Sequence, residues 1–146
     1  MVIRAWQKGT CLGMTSRLAL AAFLSTSLAC SGIFDPEAFR EQGEAAMAEG
    51  RAHGATTDQE GCVRDGLTRQ LACGELEVMC QAMAALWGQA CMESAAPVEG
   101  FCAGVPPTSE IMASSQWRIE QCDAQGHSGN TQCAQFFSAV QEHCHD

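Results

Sequence analysis

Two groups of residues in this chain could do chemistry. One is the string His143-Cys144-His145-Asp146, where two imidazoles flank a thiol and, with Cys144 reduced, could hold copper or zinc. The other is a set of eight cysteines. Cys62 and Cys73, Cys80 and Cys91, Cys91 and Cys102, Cys122 and Cys133, and Cys133 and Cys144 each stand eleven positions apart. Eleven residues make about three helical turns, so a helix carrying such a pair shows both sulfurs on one face. That spacing describes helices stapled by disulfides. Cys144 continues it, which makes Cys144 a half-cystine and leaves His143 and His145 as a metal-handling alternative. No Cys-x-x-Cys occurs, so neither a zinc ribbon nor a thioredoxin-like pair is indicated, and no cofactor is expected.

Other routes to catalysis are poorly served. There is no Gly-x-Ser-x-Gly elbow, and the glycines fall at turns and caps and cannot make a phosphate-cradling loop. The acid pairs Glu41 with Glu44 and Glu75 with Glu77 sit on expected solvent faces. Met79, Met83, Met92 and Met112 lie at helical spacing and read as core. The chain is expected not to be an enzyme.

The elements that would position the cysteines are helical throughout. Asp35-Pro36 reads as an N-cap followed by proline at the first helical position, opening a helix to about Arg51 that Gly43 and Gly50 weaken. A run rich in Gly, Ala and Thr, residues 53–57, follows it. Thr57 or Asp58 then opens a helix with Val63, Leu67 and Leu71 on one face, ending at Gly74. The next runs from about Glu75 to Glu93, with Leu76, Met79, Met83, Leu86, Trp87 and Ala90 as its apolar stripe. After a loop over 95–107 that contains Cys102, a third helix runs through Ile111, Trp117 and Ile119 to Cys122. Gly126 and Gly129 make a turn, Asn130 or Thr131 caps the last helix, and Cys133, Phe136, Phe137, Val140 and Cys144 line its inner face. Trp87 and Trp117 read as the anchors of two hairpins. The expected fold is all-α: two disulfide-stapled antiparallel hairpins preceded by a tether helix.

Geometry prunes the pairings. Cysteines eleven apart on one helix lie about 16 Å apart along its axis, whereas a disulfide needs Cα atoms within about 7 Å. Cys62 with Cys73, Cys80 with Cys91, and Cys133 with Cys144 are thereby excluded. A turn centred near residues 127–128 sets Cys122 opposite Cys133, and Cys73 and Cys80 flank the first turn. Two arrangements remain for the other four. Cys62–Cys91 with Cys102–Cys144 would staple each hairpin at both ends; Cys91–Cys102 with Cys62–Cys144 would tie the hairpins together. The first is favoured. The segment holding Cys62, Cys73, Cys80 and Cys91 also resembles, over about 30 residues and by spacing alone, the coiled-coil-helix-coiled-coil-helix family. That family bridges its twin cysteines inner to inner and outer to outer, which implies a stapled hairpin here.

The N-terminal residues speak to compartment. Arg4, Lys8 and Arg17 are the only charges in residues 1–29, and Leu18 to Ala29 form an apolar stretch. That stretch is too short for the roughly 20 residues a membrane crossing needs. A basic flank, a short apolar core and small residues at its end make a secretory signal peptide. Ser27-Leu28-Ala29-Cys30-Ser31 resembles the lipobox of bacterial lipoproteins, with Ser27 where the family prefers leucine. The resemblance implies cleavage before Cys30 and its acylation, and Ser31 implies an outer-membrane destination where the organism has one. Without acylation an ordinary secreted chain is the alternative, and it would carry nine cysteines, one of them unpaired. Cys11 leaves with the signal, whether the chain starts at Met1 or at Met14.

From Cys30 onward, five arginines face seventeen acids, a net charge of −12. Such a surface disfavours nucleic acid, which requires a basic face, and it disfavours anionic lipid, so attachment must come from acyl chains. With no tyrosine and only two tryptophans after Cys30, the aromatic core is small. Disulfides of about 2–4 kcal/mol each then matter, and an exported chain is where they persist. The expected organisation is a signal peptide (1–29), a lipid-anchored tether with a short helix (30–56) and a stapled domain (57–146). The functional expectation is a membrane-anchored envelope lipoprotein facing the periplasm that binds, scaffolds or maintains the envelope, with a protein partner open.

Overall fold

The computed structural model describes residues 35–145. The expectations for the signal peptide, Cys11, Met14, Cys30 and Ser31 lie outside the described residues. Five helices follow one another: α1 (Pro36–Gly54), α2 (Gln59–Ala72), α3 (Val78–Ser94), α4 (Ile111–Ala124) and α5 (Thr131–His145). Among the described residues there is no strand beyond one isolated bridge between Asp58 and Ala96. The all-α expectation and its two helical hairpins hold. No helix among the described residues is long and apolar enough to cross a membrane.

Each hairpin begins and turns where local chemistry directs it. The Asp58 carboxylate accepts from the Gly61 N–H at 2.7 Å to cap α2. At the first turn Glu77 accepts from the Gly74 N–H at 2.9 Å, and α3 begins at Val78 rather than Glu75. Residues 75–77 are therefore turn, and Leu76, expected on the apolar stripe, is 94% exposed. The second turn carries Gly126 and Gly129 at φ of +78° and +69°, a left-handed conformation that glycine adopts without a Cβ clash. Asn130 caps α5 by accepting from the Cys133 N–H at 2.9 Å.

α3 is the hub. It packs against α1, α2 and α5, whereas α4 packs against α5 alone. The core gathers Cys62 and Leu67 of α2, Trp87, Cys91 and Met92 of α3, Cys122 of α4, and Cys133, Phe136, Phe137 and Val140 of α5. Phe136 holds the hairpins together. Its ring lies where Gly66 of α2 and Gly88 of α3 leave space, so closely that a Cβ on either would stand 2.6 Å and 2.8 Å from it.

Two further expectations change. The first helix, read as part of a tether and weakened by its glycines, is packed along α3. Gly50 and Gly54 are buried, and a Cβ on either would collide with the carbonyl oxygens of Trp87 and Cys91. Glycines that weaken the helix by propensity are thus what let it approach. Polar contacts tie α1 to α2 as well: Arg69 pairs with Glu49 and lies 4.2 Å from the centre of the Trp87 ring, and His53 meets Asp65 at 3.0 Å. The third helix, in turn, does not bury Met112, which reads as core. Ile111 and Ile119 are 75% and 52% exposed as well, because α4 touches only one neighbour and presents Ser114 and Cys122 to it.

Candidate functional site

The cysteines come first, because their state decides what sulfur chemistry the chain retains. Cys62–Cys91, Cys73–Cys80, Cys102–Cys144 and Cys122–Cys133 are disulfides, with Cα separations of 5.7, 5.7, 5.4 and 5.9 Å. This is the arrangement that staples each hairpin at both ends. All eight cysteines of the described residues are therefore oxidised, and none is a thiolate nucleophile or ligand as it stands.

The terminal histidines are held by the fold. Cys144 is bonded to Cys102. The His143 Nε2 lies 2.9 Å from the Gln59 amide nitrogen, and its ring meets Phe101 edge-on at 6.0 Å. The His145 Nε2 lies 2.9 Å from the Val105 carbonyl oxygen. Gln59 in turn accepts from the Val98 N–H at 3.0 Å. His143, His145 and Cys144 thus fasten the loop over 95–110 to the ends of α2 and α5. Among the described residues no three His, Cys, Asp or Glu side chains gather as a metal site would require. His53 lies far along the chain in the α1–α2 seam, and His127 lies in the second turn.

One feature is not consumed by holding the fold together. α2 and α4 both lie on α5 but do not pack against each other, and between them opens a cavity of about 480 Å³. Phe137 and Val140 of α5 form its base, with Trp117 of α4 standing edge-on to Phe137 at 5.7 Å. Val63, Glu60 and Arg64 supply the α2 wall, and Gln121 and Gln125 the α4 wall. Val98, Glu99 and Phe101 close one end. An aromatic base with a rim of carboxylates, amides and one guanidinium suits recognition of an amphipathic ligand. It offers no nucleophile beside a base. Arg64 is engaged by Asp65 at 3.2 Å and remains largely exposed.

Sequence reading finds part of this cleft. Trp117, Phe137 and Val140 read as core, and they are the base. Val98, Glu99 and Phe101 read only as loop; the available signal is that Phe101 adjoins Cys102, so the bridge to Cys144 must fix it in place. The acid pairs lie on solvent faces as expected: Glu41, Glu44, Glu75 and Glu77 are all exposed. Comparison with protein-family models, with curated proteins and with solved structures finds no match for this chain.

Proposed function

We propose that this chain is an exported, acidic lipoprotein, anchored in an envelope membrane through acylated Cys30, whose disulfide-stapled helical domain is a rigid binding or scaffolding module without catalysis. The observation that carries the reading is the oxidation of all eight described cysteines into four bridges. Bridges of this number are characteristic of an oxidising compartment, which agrees with the signal-like N-terminus. Their pairing also leaves Cys30 without a partner among them, the position the lipobox resemblance assigns to lipid. The α2–α4 cleft is the recognition surface of the module, presented between two hairpins that are each stapled within themselves and joined by the packing of Phe136.

The intact mass of the mature protein, measured before and after full reduction, tests this reading. A chain beginning at Cys30, heavier by its acyl groups, should gain eight hydrogens on reduction, two for each disulfide. A mature chain without lipid and with a free ninth thiol would overturn the anchoring, and fewer than four bridges would overturn the stapled module.

A further inference from the structure

The helices meet at two ends, and the ends differ. α1 runs parallel to α3, since Gly43 neighbours Leu86, Gly50 neighbours Trp87, and Gly54 neighbours Cys91 and Ala95. The start of α1 therefore lies beside the start of α3 and the first turn. α2 and α5 are antiparallel, because Gln132 donates to the Cys73 carbonyl at 2.9 Å while His143 meets Gln59 at the far end. The second turn thus shares the first turn's end of the molecule, and Ile111, at the start of α4, lies at the opposite one.

At the shared end, Leu76 and Val78 are 94% and 70% exposed. Phe39, one turn into α1, lines the same hollow of about 630 Å³ with them and Met79. Single exposed apolar side chains are ordinary. These two differ in their position relative to the chain's attachment. Cys30 precedes Asp35, the cap of α1, by five residues, which span at most about 17 Å when fully extended, and Phe39 lies only about 6 Å further along the helix. A lipid on Cys30 would hold this end, and no other, against a bilayer.

We propose, resting on the lipid anchor argued above, that Leu76 and Val78 form a membrane-contacting edge that inserts into the interfacial region of the bilayer holding Cys30. The domain then stands with both turns down and the loop over 95–110 facing away. The lipid is zwitterionic, because Glu37 and Glu75 are exposed at the same end and repel anionic headgroups. Two apolar side chains beside the acyl chains add buried apolar area at the interface, which orients the domain on the bilayer.

The test uses mature lipidated protein, beginning at Cys30, reconstituted in phosphatidylcholine vesicles, as Leu76→Trp and, at the opposite end, Ile111→Trp, each read against the unsubstituted protein. Both positions are exposed, and an unchanged melting temperature verifies the fold. Leu76→Trp emission should shift to the blue on reconstitution and be quenched by phosphatidylcholine brominated in its acyl chains, while Ile111→Trp does neither. Protein that floats with the vesicles but leaves Leu76→Trp at its solution wavelength overturns the edge and spares the anchor. A blue shift that develops on concentrating vesicle-free protein assigns the surface to a second copy, and so overturns it too. Protein that does not float with the vesicles overturns the anchor, and the edge falls with it.

Discussion

The two hairpins are built on one plan and held in opposite ways. Each has one bridge in the core and one at the surface. In the α2–α3 hairpin the buried bridge, Cys62–Cys91, closes the open end across 29 residues, and the turn carries Cys73–Cys80, whose Cys80 is exposed. In the α4–α5 hairpin the buried bridge, Cys122–Cys133, sits at the turn, and the open end relies on Cys102–Cys144, with Cys102 exposed. The first hairpin is also embraced by α1 and α5, whereas α4 has α5 alone. Packing therefore does for the first what covalent chemistry must do for the second.

That contrast is tested most severely by removing the side chain that joins the halves. Phe136 is fully buried between Gly66 and Gly88. Phe136→Ala should cost about 4 kcal/mol, as a large aromatic leaves a cavity that two glycines cannot fill. Urea denaturation measures the loss. Native-state hydrogen exchange should show α4 and α5 opening before α1 to α3. Uniform loss of protection across all five helices would mean that the halves form one cooperative unit and that their asymmetry is not energetic.

The bridges come next. In the chain-entropy account, a disulfide stabilises by restricting the unfolded chain, more so for longer loops. Cys102 and Cys144 are 42 residues apart and Cys73 and Cys80 only 7. Replacing both cysteines of the longer bridge by serine should cost about 4 kcal/mol, and the same change at the shorter about 2 kcal/mol. Thermal unfolding of the two double variants decides the order. Equal losses would show that packing, and not covalent closure, holds the loop over 95–110. Because that loop closes the cleft, the longer-bridge variant should also free Phe101 from His143, lifting the ring contact at 6.0 Å.

The same asymmetry governs how much was legible in the sequence. Cysteine spacing and helix periodicity suffice for the hairpins, the excluded pairings and the inner face of α5, because each is a local rule about which residues share a helix face. What escapes is tertiary. Gly50 and Gly54 count against a helix by propensity, and only the neighbouring carbonyls of Trp87 and Cys91 explain them. Met112 reads as core because periodicity reports which residues share a face, not whether a neighbour covers it. Leu76 reads as the start of a stripe, yet the Glu77 contact to Gly74 converts that stretch to turn. The cleft exists because α2 and α4 fail to meet, and no spacing within either helix records that.

Buried amides carry the contrast to its smallest scale. In the second hairpin, Gln141 accepts from the Ser114 hydroxyl at 2.9 Å and donates to the Pro106 carbonyl at 3.0 Å, and Gln132 donates to Cys73 across the hairpin interface. In the first, Gln81 donates to the Gly74 and Glu75 carbonyls of the turn, but Gln70 is fully buried and neither its amide nitrogen nor its oxygen has a hydrogen-bond partner. An unpartnered buried polar group costs about 1–3 kcal/mol, and an apolar side chain of similar shape removes that cost. Gln70→Met should therefore raise stability by about 1 kcal/mol, while Gln141→Met should lower it by about 2 kcal/mol, because it strands a hydroxyl and a carbonyl. Denaturant midpoints of the two variants, which make the same chemical change in opposite hairpins, should move in opposite directions. A loss in both would mean that the Gln70 amide contributes to holding α2 in place, and that the first hairpin depends on polar contacts as much as the second does.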